Sequence, residues 1–144
     1  MQARISVITL SVLDLEASLR FYRDGLGFPS EGIMGEEFEY GAVAFIQLQP
    51  GLKLALWPQR SIQQDTGLEP SPICPTQMTL GHNVYSPLEV DQAMAQAERA
   101  GAKIIKPAHT TFYGGYAGYF QDPNGHLWEI VWNPDLDKAE LDKD

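Results

Sequence analysis

Sliding the chain against itself by 74 residues brings its glycines into register, and this constrains the fold more than any other feature. Gly27 falls on Gly101, Gly41 on Gly115 and Gly51 on Gly125, with Phe38 on Phe112 and Gln47 on Gln121. Similar residues lie between them: Ala44 with Gly118, Phe45 with Tyr119, Ile46 with Phe120, and Leu56 with Ile130. Glycine occupies backbone conformations that other residues avoid, so matched glycines imply matched turns. A chain of 144 residues is then two small halves built to one plan.

The local patterns agree with that plan. Ile5 to Val12 reads as a strand rich in β-branched residues. Asp14 is placed to cap a helix from Leu15 to about Asp24, with Leu15, Leu19 and Tyr22 at helical spacing and Gly25-Leu26-Gly27 to stop it. Strands follow at Val43 to Leu48 and Leu52 to Trp57, around a Gln49-Pro50-Gly51 turn. A further strand near Glu36 to Tyr40 completes a βαβββ order. In the second half, Met78 to Tyr85 reads as a strand. Ser86-Pro87 opens a helix that runs to about Ala100 and ends at Gly101. Strands at Lys103 to Lys106, Gly118 to Gln121 and His126 to Trp132 close the half. The last two are joined by Asp122-Pro123-Asn124-Gly125, a type I turn by its residues. The expected organisation is module one at 1–58, a Pro-rich linker at 59–76, module two at 77–134, and an acidic surface tail at 135–144.

Charge and cysteine content narrow the partners. The net charge is −9, with 19 acidic and 10 basic residues, which argues against nucleic acid and anionic membrane surfaces. The single cysteine, Cys74, forms no intramolecular disulfide or zinc pattern and reads as a passenger in a loop. No basic leader or long apolar run appears, so the expected location is the cytoplasm.

Two segments carry a family likeness. Val12-Leu13-Asp14-Leu15, Ser18, Phe21-Tyr22 and Gly25-Leu26-Gly27-Phe28 resemble the opening of a vicinal oxygen chelate module. Gly118 to Ile130 resembles the final hairpin of that superfamily, which includes glyoxalases, bleomycin-resistance proteins and extradiol dioxygenases. The resemblance spans about residues 4–134. It implies an α+β fold of two βαβββ modules forming an open, curled mixed-sheet barrel with helices outside. It also implies a small-molecule ligand and a homodimer.

The superfamily's chemistry uses a divalent metal (Ni, Zn, Mn or Fe) held by residues of the first and last strands of each module. By the resemblance, module two fills its positions with His82 and Glu129, which are therefore both the metal-ligand and the catalytic candidates. The 74-residue offset puts the module-one equivalents at Val7 or Ile8 and at Ala55, none of which binds a metal. The ligand set is incomplete, and His109 and His126 are the remaining imidazoles within the chain. Strand alternation places Leu127, Glu129 and Val131 on one face and Trp128, Ile130 and Trp132 on the other. With the tryptophan face on the helices, Glu129 faces the cavity as ligand, general base or partner of His82. Trp57 and Lys53 share the equivalent face of module one. Together with Phe45, Phe112, Tyr113, Tyr116 and Tyr119, they are the candidate substrate-binding residues. Gly114-Gly115 lacks the spacing of a phosphate loop. Three functions stay open: a lyase/isomerase or dioxygenase with a partial metal site, a non-catalytic protein that sequesters a drug-like molecule, and a regulatory or structural dimer whose cavity is closed by side chains.

Overall fold

A computed structural model describes residues 1–136 and 141–142. The chain divides into two compact units, Met1–Pro72 and Ile73–Asp144. Each unit is built on one open, mixed four-stranded sheet, and the class is α+β.

In the first unit the order is β1 (Val7–Val12), α1 (Leu15–Leu19) running on as a π-helical turn (Arg20–Gly25), β2 (Ile33–Met34), β3 (Val43–Gln47), β4 (Lys53–Pro58) and α2 (Gln59–Thr66). The sheet order is β1-β4-β3-β2, with β1 parallel to β4 and the other pairs antiparallel. Asp14 caps α1 by accepting from the Ala17 N–H at 3.0 Å. The following turns widen, with the Leu26 N–H reaching the Phe21 carbonyl five residues back. The adjacent rings of Phe21 and Tyr22 are both buried there, edge to face at 4.9 Å. Leu10, Val12, Ala44, Ile46, Leu54 and Leu56 complete this core from the helix-facing side of the sheet.

Two expectations for this unit are corrected. The strand expected near Glu36 to Tyr40 is instead a turn, and the short β2 lies just before it. Gly35 and Gly41 approach so closely that a Cβ on Gly35 would stand 2.3 Å from the Gly41 carbonyl oxygen. That closure bends the segment, and Tyr40 sits in the left-handed region at φ 58°. The stretch expected as linker begins with α2, which ends at Gly67 in the left-handed conformation (φ 76°).

In the second unit the order is β5 (Thr79–Asn83), α3 (Pro87–Arg99), β6 (Lys103–Thr110), β7 (Tyr116–Gln121) and β8 (Leu127–Trp132). The sheet order is β5-β8-β7-β6. Ser86 caps α3 by accepting from the Glu89 N–H at 3.2 Å, and Glu89 accepts in return from the Tyr85 N–H at 2.9 Å. The Asp122–Gly125 turn closes as expected: the Gly125 N–H bonds the Asp122 carbonyl at 3.0 Å. The buried Asp122 carboxylate accepts from the N–H groups of Asn124 and His126, both at 2.9 Å. Strand β6 runs longer than the expected Lys103 to Lys106, through Pro107 and two register shifts, which an edge strand tolerates. Helix α3 packs on β6, β7 and β8. Gly118 makes room for it, since a Cβ there would meet the Met94 sulfur at 3.0 Å. Phe120 stacks on Trp128 on the same side, rings 6.1 Å apart and 5° from parallel. The acidic tail expected at 135–144 lies mostly outside the described residues. No helix among the described residues is long and apolar enough to cross a membrane.

Candidate functional site

The β7–β8 register decides which side chains meet. Tyr119 is opposite Glu129, Gly118 opposite Ile130, and Phe120 opposite Trp128. Directly paired residues share a face. Gly118, Phe120, Trp128 and Ile130 take the side covered by α3, which leaves Tyr119 and Glu129 on the other side. The Tyr119 hydroxyl donates to Glu129 Oε2 at 2.5 Å, and both residues are half-buried. This hydrogen bond to a charged acceptor, then partial desolvation, then the carboxylate's charge push the Tyr119 phenol up to about 12. Glu129 Oε1 accepts from no described residue.

The edge strand enlarges this polar face. Lys106 pairs with Tyr119, and His109 pairs with Ala117, whose other neighbour is Val131, so both lie on the Glu129 side. Gln121 also belongs to this face and donates to the Gly125 carbonyl at 3.1 Å. His109 lies beyond the expected end of this strand, yet it is a half-buried strand residue, with Nδ1 3.1 Å from the Pro107 carbonyl oxygen. Pro107 hides the part of the strand that carries His109, whereas Lys106 lies inside the expected strand and only the β6–β7 register sets its face.

His82 does not join Glu129. Strand β5 runs parallel to β8 with Gly81 opposite Glu129 and His82 opposite Ile130, so His82 takes the helix-facing side at an open edge. It is solvent-accessible, and the protein around it partly desolvates the ring and lowers its pKa below 6.5. In the first unit the residue opposite Leu56, the counterpart of Ile130, is Leu10. His82 therefore corresponds to Leu10, and Val7 corresponds to Thr79. The first strands are offset by 72 residues and the last strands by 74. Ala55 remains the counterpart of Glu129: each stands opposite an aromatic residue, Phe45 and Tyr119 respectively.

The other candidates are dispersed. In the first unit Lys53 Nζ stands over the Phe45 ring, 4.7 Å from its centroid, so the ammonium is held by a cation–π contact. Trp57 borders a cleft against Tyr40 and α2. In the second unit Phe112 is fully exposed and packs edge to face on Tyr113 at 5.2 Å. Tyr113 is close enough to Tyr119 to add slightly to its raised pKa. Tyr116 donates to Asp91 Oδ1 of α3 at 2.7 Å, which raises its pKa and places it on the helix side.

Among the described residues, no three His, Cys, Asp or Glu side chains converge to hold a metal ion. The strand partner that a chelate through Glu129 would use is Gly81, which has no donor side chain. The donor set therefore does not fit a resident divalent metal. The chemistry left to this face is that of a hydrogen-bonded carboxylate with one open oxygen, among a phenol, an amide, an ammonium and an imidazole.

The comparisons with known proteins bear on the same architecture. A glyoxalase-related enzyme from Fulvimarina pelagi superposes with a TM-score of 0.79 at 38% identity, covering 92% of this chain and 90% of that one. A glyoxalase/bleomycin resistance protein/dioxygenase from Nocardioides gives 0.74 at 27% identity, covering 96% and 88%. Lactoylglutathione lyase from Agrobacterium tumefaciens shares the fold at 19% identity, with a TM-score of 0.66 and coverage of 92% and 95%. No curated protein matches the chain. The family model of the Glyoxalase/Bleomycin resistance protein/Dioxygenase superfamily matches residues 4–130, nearly the whole described chain, and the chain belongs to that superfamily.

Proposed function

We propose that the chain binds a small polar organic molecule on the Tyr119–Glu129 face, without a chelated metal. The observation that carries this reading is the half-occupied carboxylate. Tyr119 fixes Oε2 and orients the group, while Oε1 stays open to a ligand hydroxyl or ammonium. Gln121, Lys106 and His109 on the same face supply secondary polar contacts. An anionic ligand group at Oε1 is disfavoured by like charge, so the ligand presents a donor there.

A second reading is favoured by the 38% identity to a protein described as a glyoxalase-related enzyme. In it, Glu129 takes a proton from a carbon or hydroxyl of the bound molecule and returns it at a neighbouring atom, an isomerisation with no net redox change.

A thermal-shift screen of small polyols, amino alcohols and hydroxy acids tests the first reading on wild type and Glu129→Leu. Compounds that raise the wild-type Tm and leave the variant unmoved support it. Equal shifts in both proteins, or none across the panel, oppose it. Turnover of any hit, followed by exchange of solvent deuterium into the product, separates the two readings.

A further inference from the structure

Three side chains on the Glu129 face fall in one row across the strands. Lys106 on β6 pairs with Tyr119 on β7, which pairs with Glu129 on β8. Gly81 on β5 ends the row. Nothing lies within 4 Å of where a Gly81 Cβ would stand, so the strip beyond Glu129 is bare. Neighbouring strands lie about 4.8 Å apart, which puts the Lys106 and Glu129 backbones about 10 Å from each other.

The row is a pair of opposite charges held apart by a phenol. Lys106 is exposed and forms no ion pair with a described residue, and Glu129 Oε2 is held by the Tyr119 hydroxyl, not by a cation. At about 10 Å in solvent the two charges are largely screened, so neither satisfies the other. Along the strands the row is bounded. Ala117 and Val131, next on the same face, are buried and carry no polar side chain. Beyond them Tyr113 folds over Gly115, with its Cε2 2.6 Å from where a Gly115 Cβ would stand. A guest on this face therefore lies across the strands, on the line from Lys106 to Glu129.

We propose that the ligand of this face is an ω-amino acid, with its ammonium at Glu129 Oε1, its carboxylate at Lys106 and its carbon chain on the Tyr119 ring. This rests on the reading of Glu129 as a donor-binding carboxylate and adds a second anchor and a span. The lysine stem is flexible and can reach over the phenol, which sets the distance between the ligand's charges at roughly 6–9 Å. An α-amino acid is too short, its charges standing only about 3 Å apart. A dianion would meet Glu129 and a chain of net charge −9, whereas the zwitterion carries no net charge. The ammonium is preferred to a hydroxyl at Oε1 because its hydrogen bond to the carboxylate is charge-assisted on both sides.

The test follows the Tyr119 ¹³Cζ resonance, assigned with Tyr119→Phe, during titration with 6-aminohexanoate and separately with hexylammonium, which lacks the carboxylate. The amino acid should shift the signal saturably with a Kd in the ~mM range, and hexylammonium should bind about fivefold more weakly. Lys106→Gln should bind the two alike. Lys106→Glu should prefer hexane-1,6-diammonium to 6-aminohexanoate. Residue 106 is exposed on an edge strand, which tolerates either substitution. Glu129→Leu should weaken both monoamines by about tenfold or more. No saturable shift with 6-aminohexanoate, equal affinity for the two in the wild type, or a preference for the carboxylate that persists in Lys106→Gln would overturn the proposal. If hexylammonium still binds the wild type in a Glu129-dependent way, the Glu129 reading stands without it; if neither amine does, both fall.

Discussion

Replacing Glu129 by Leu perturbs one well-defined interaction. The substitution removes the acceptor and the charge while keeping a side chain of similar bulk on β8. In the wild type the Tyr119 phenol is pushed up to about 12 from an ordinary 10.0, first by its hydrogen bond to Glu129, then by desolvation, then by the carboxylate charge. Two pKa units correspond to about 2.7 kcal/mol. Desolvation accounts for part of that and solvent screens the half-buried pair, so the Glu129-dependent share is about 1–2 kcal/mol. The variant's Tyr119 should therefore titrate about one unit or more below the wild type, yet still above 10, because desolvation persists. The sign for stability follows. A group whose folded pKa is raised favours the folded state fully below the unfolded value and loses that contribution as pH climbs to the folded value. Wild-type stability from this pair should be intact below pH 10 and decline between 10 and about 12, with a shallower decline in the variant. The assay is ¹³Cζ-tyrosine NMR titration, with Tyr119→Phe assigning the resonance and urea unfolding at several pH values giving stability. A wild-type Tyr119 that titrates at 10, or at the same pH in both proteins, would refute the reasoning.

Three other substitutions test separate parts of the account. Asp122→Ala removes the acceptor for two N–H groups in the β7–β8 turn and should cost about 2 kcal/mol, read from the urea midpoint at constant m-value. Gly115→Ala puts a Cβ 2.6 Å from the Trp132 carbonyl oxygen, so it should destabilise by about 2 kcal/mol and lower the Tm by several degrees. His82→Ala should change the affinity of any Glu129-dependent ligand by less than about twofold, because His82 is on the opposite face from Glu129; a loss of about tenfold or more would show that the two cooperate.

The parts of the fold legible in the sequence are those fixed by neighbouring residues. Asp14 and Ser86 cap helices through the N–H groups three residues ahead, and Asp122 to Gly125 closes its turn internally, so the residue types suffice. The alternation that sets Glu129 apart from Trp128 and Ile130 is equally local, and the helix packing agrees with it. What failed depends on register between distant segments. A single offset does not hold at both ends of the repeat, since the first strands match at 72 residues and the last at 74. That difference makes Leu10, and not Val7 or Ile8, the counterpart of His82, while the β5–β8 register sets the face His82 occupies. Helix α2 was hidden because its eight residues carry one large apolar side chain, Ile62, which makes no periodic pattern. The Glu36 to Tyr40 segment has strand-like residues, yet the backbone contact between Gly35 and Gly41 overrides that preference. The Tyr119–Glu129 pair follows once β7 and β8 are set in register around their turn, whereas residue type alone marks Tyr119 only as a binding aromatic.

The central claim is that the Glu129 face works through a hydrogen-bonded carboxylate and not through a chelated metal. Equilibrium dialysis of the purified protein against Ni, Zn, Mn and Fe(II), followed by elemental analysis of wild type and Glu129→Leu, tests it most directly. The account predicts substoichiometric metal in the wild type, well under about 0.1 per chain at ~10 μM free ion, with no difference between the two proteins. Close to one metal per chain in the wild type, lost in Glu129→Leu, would contradict it.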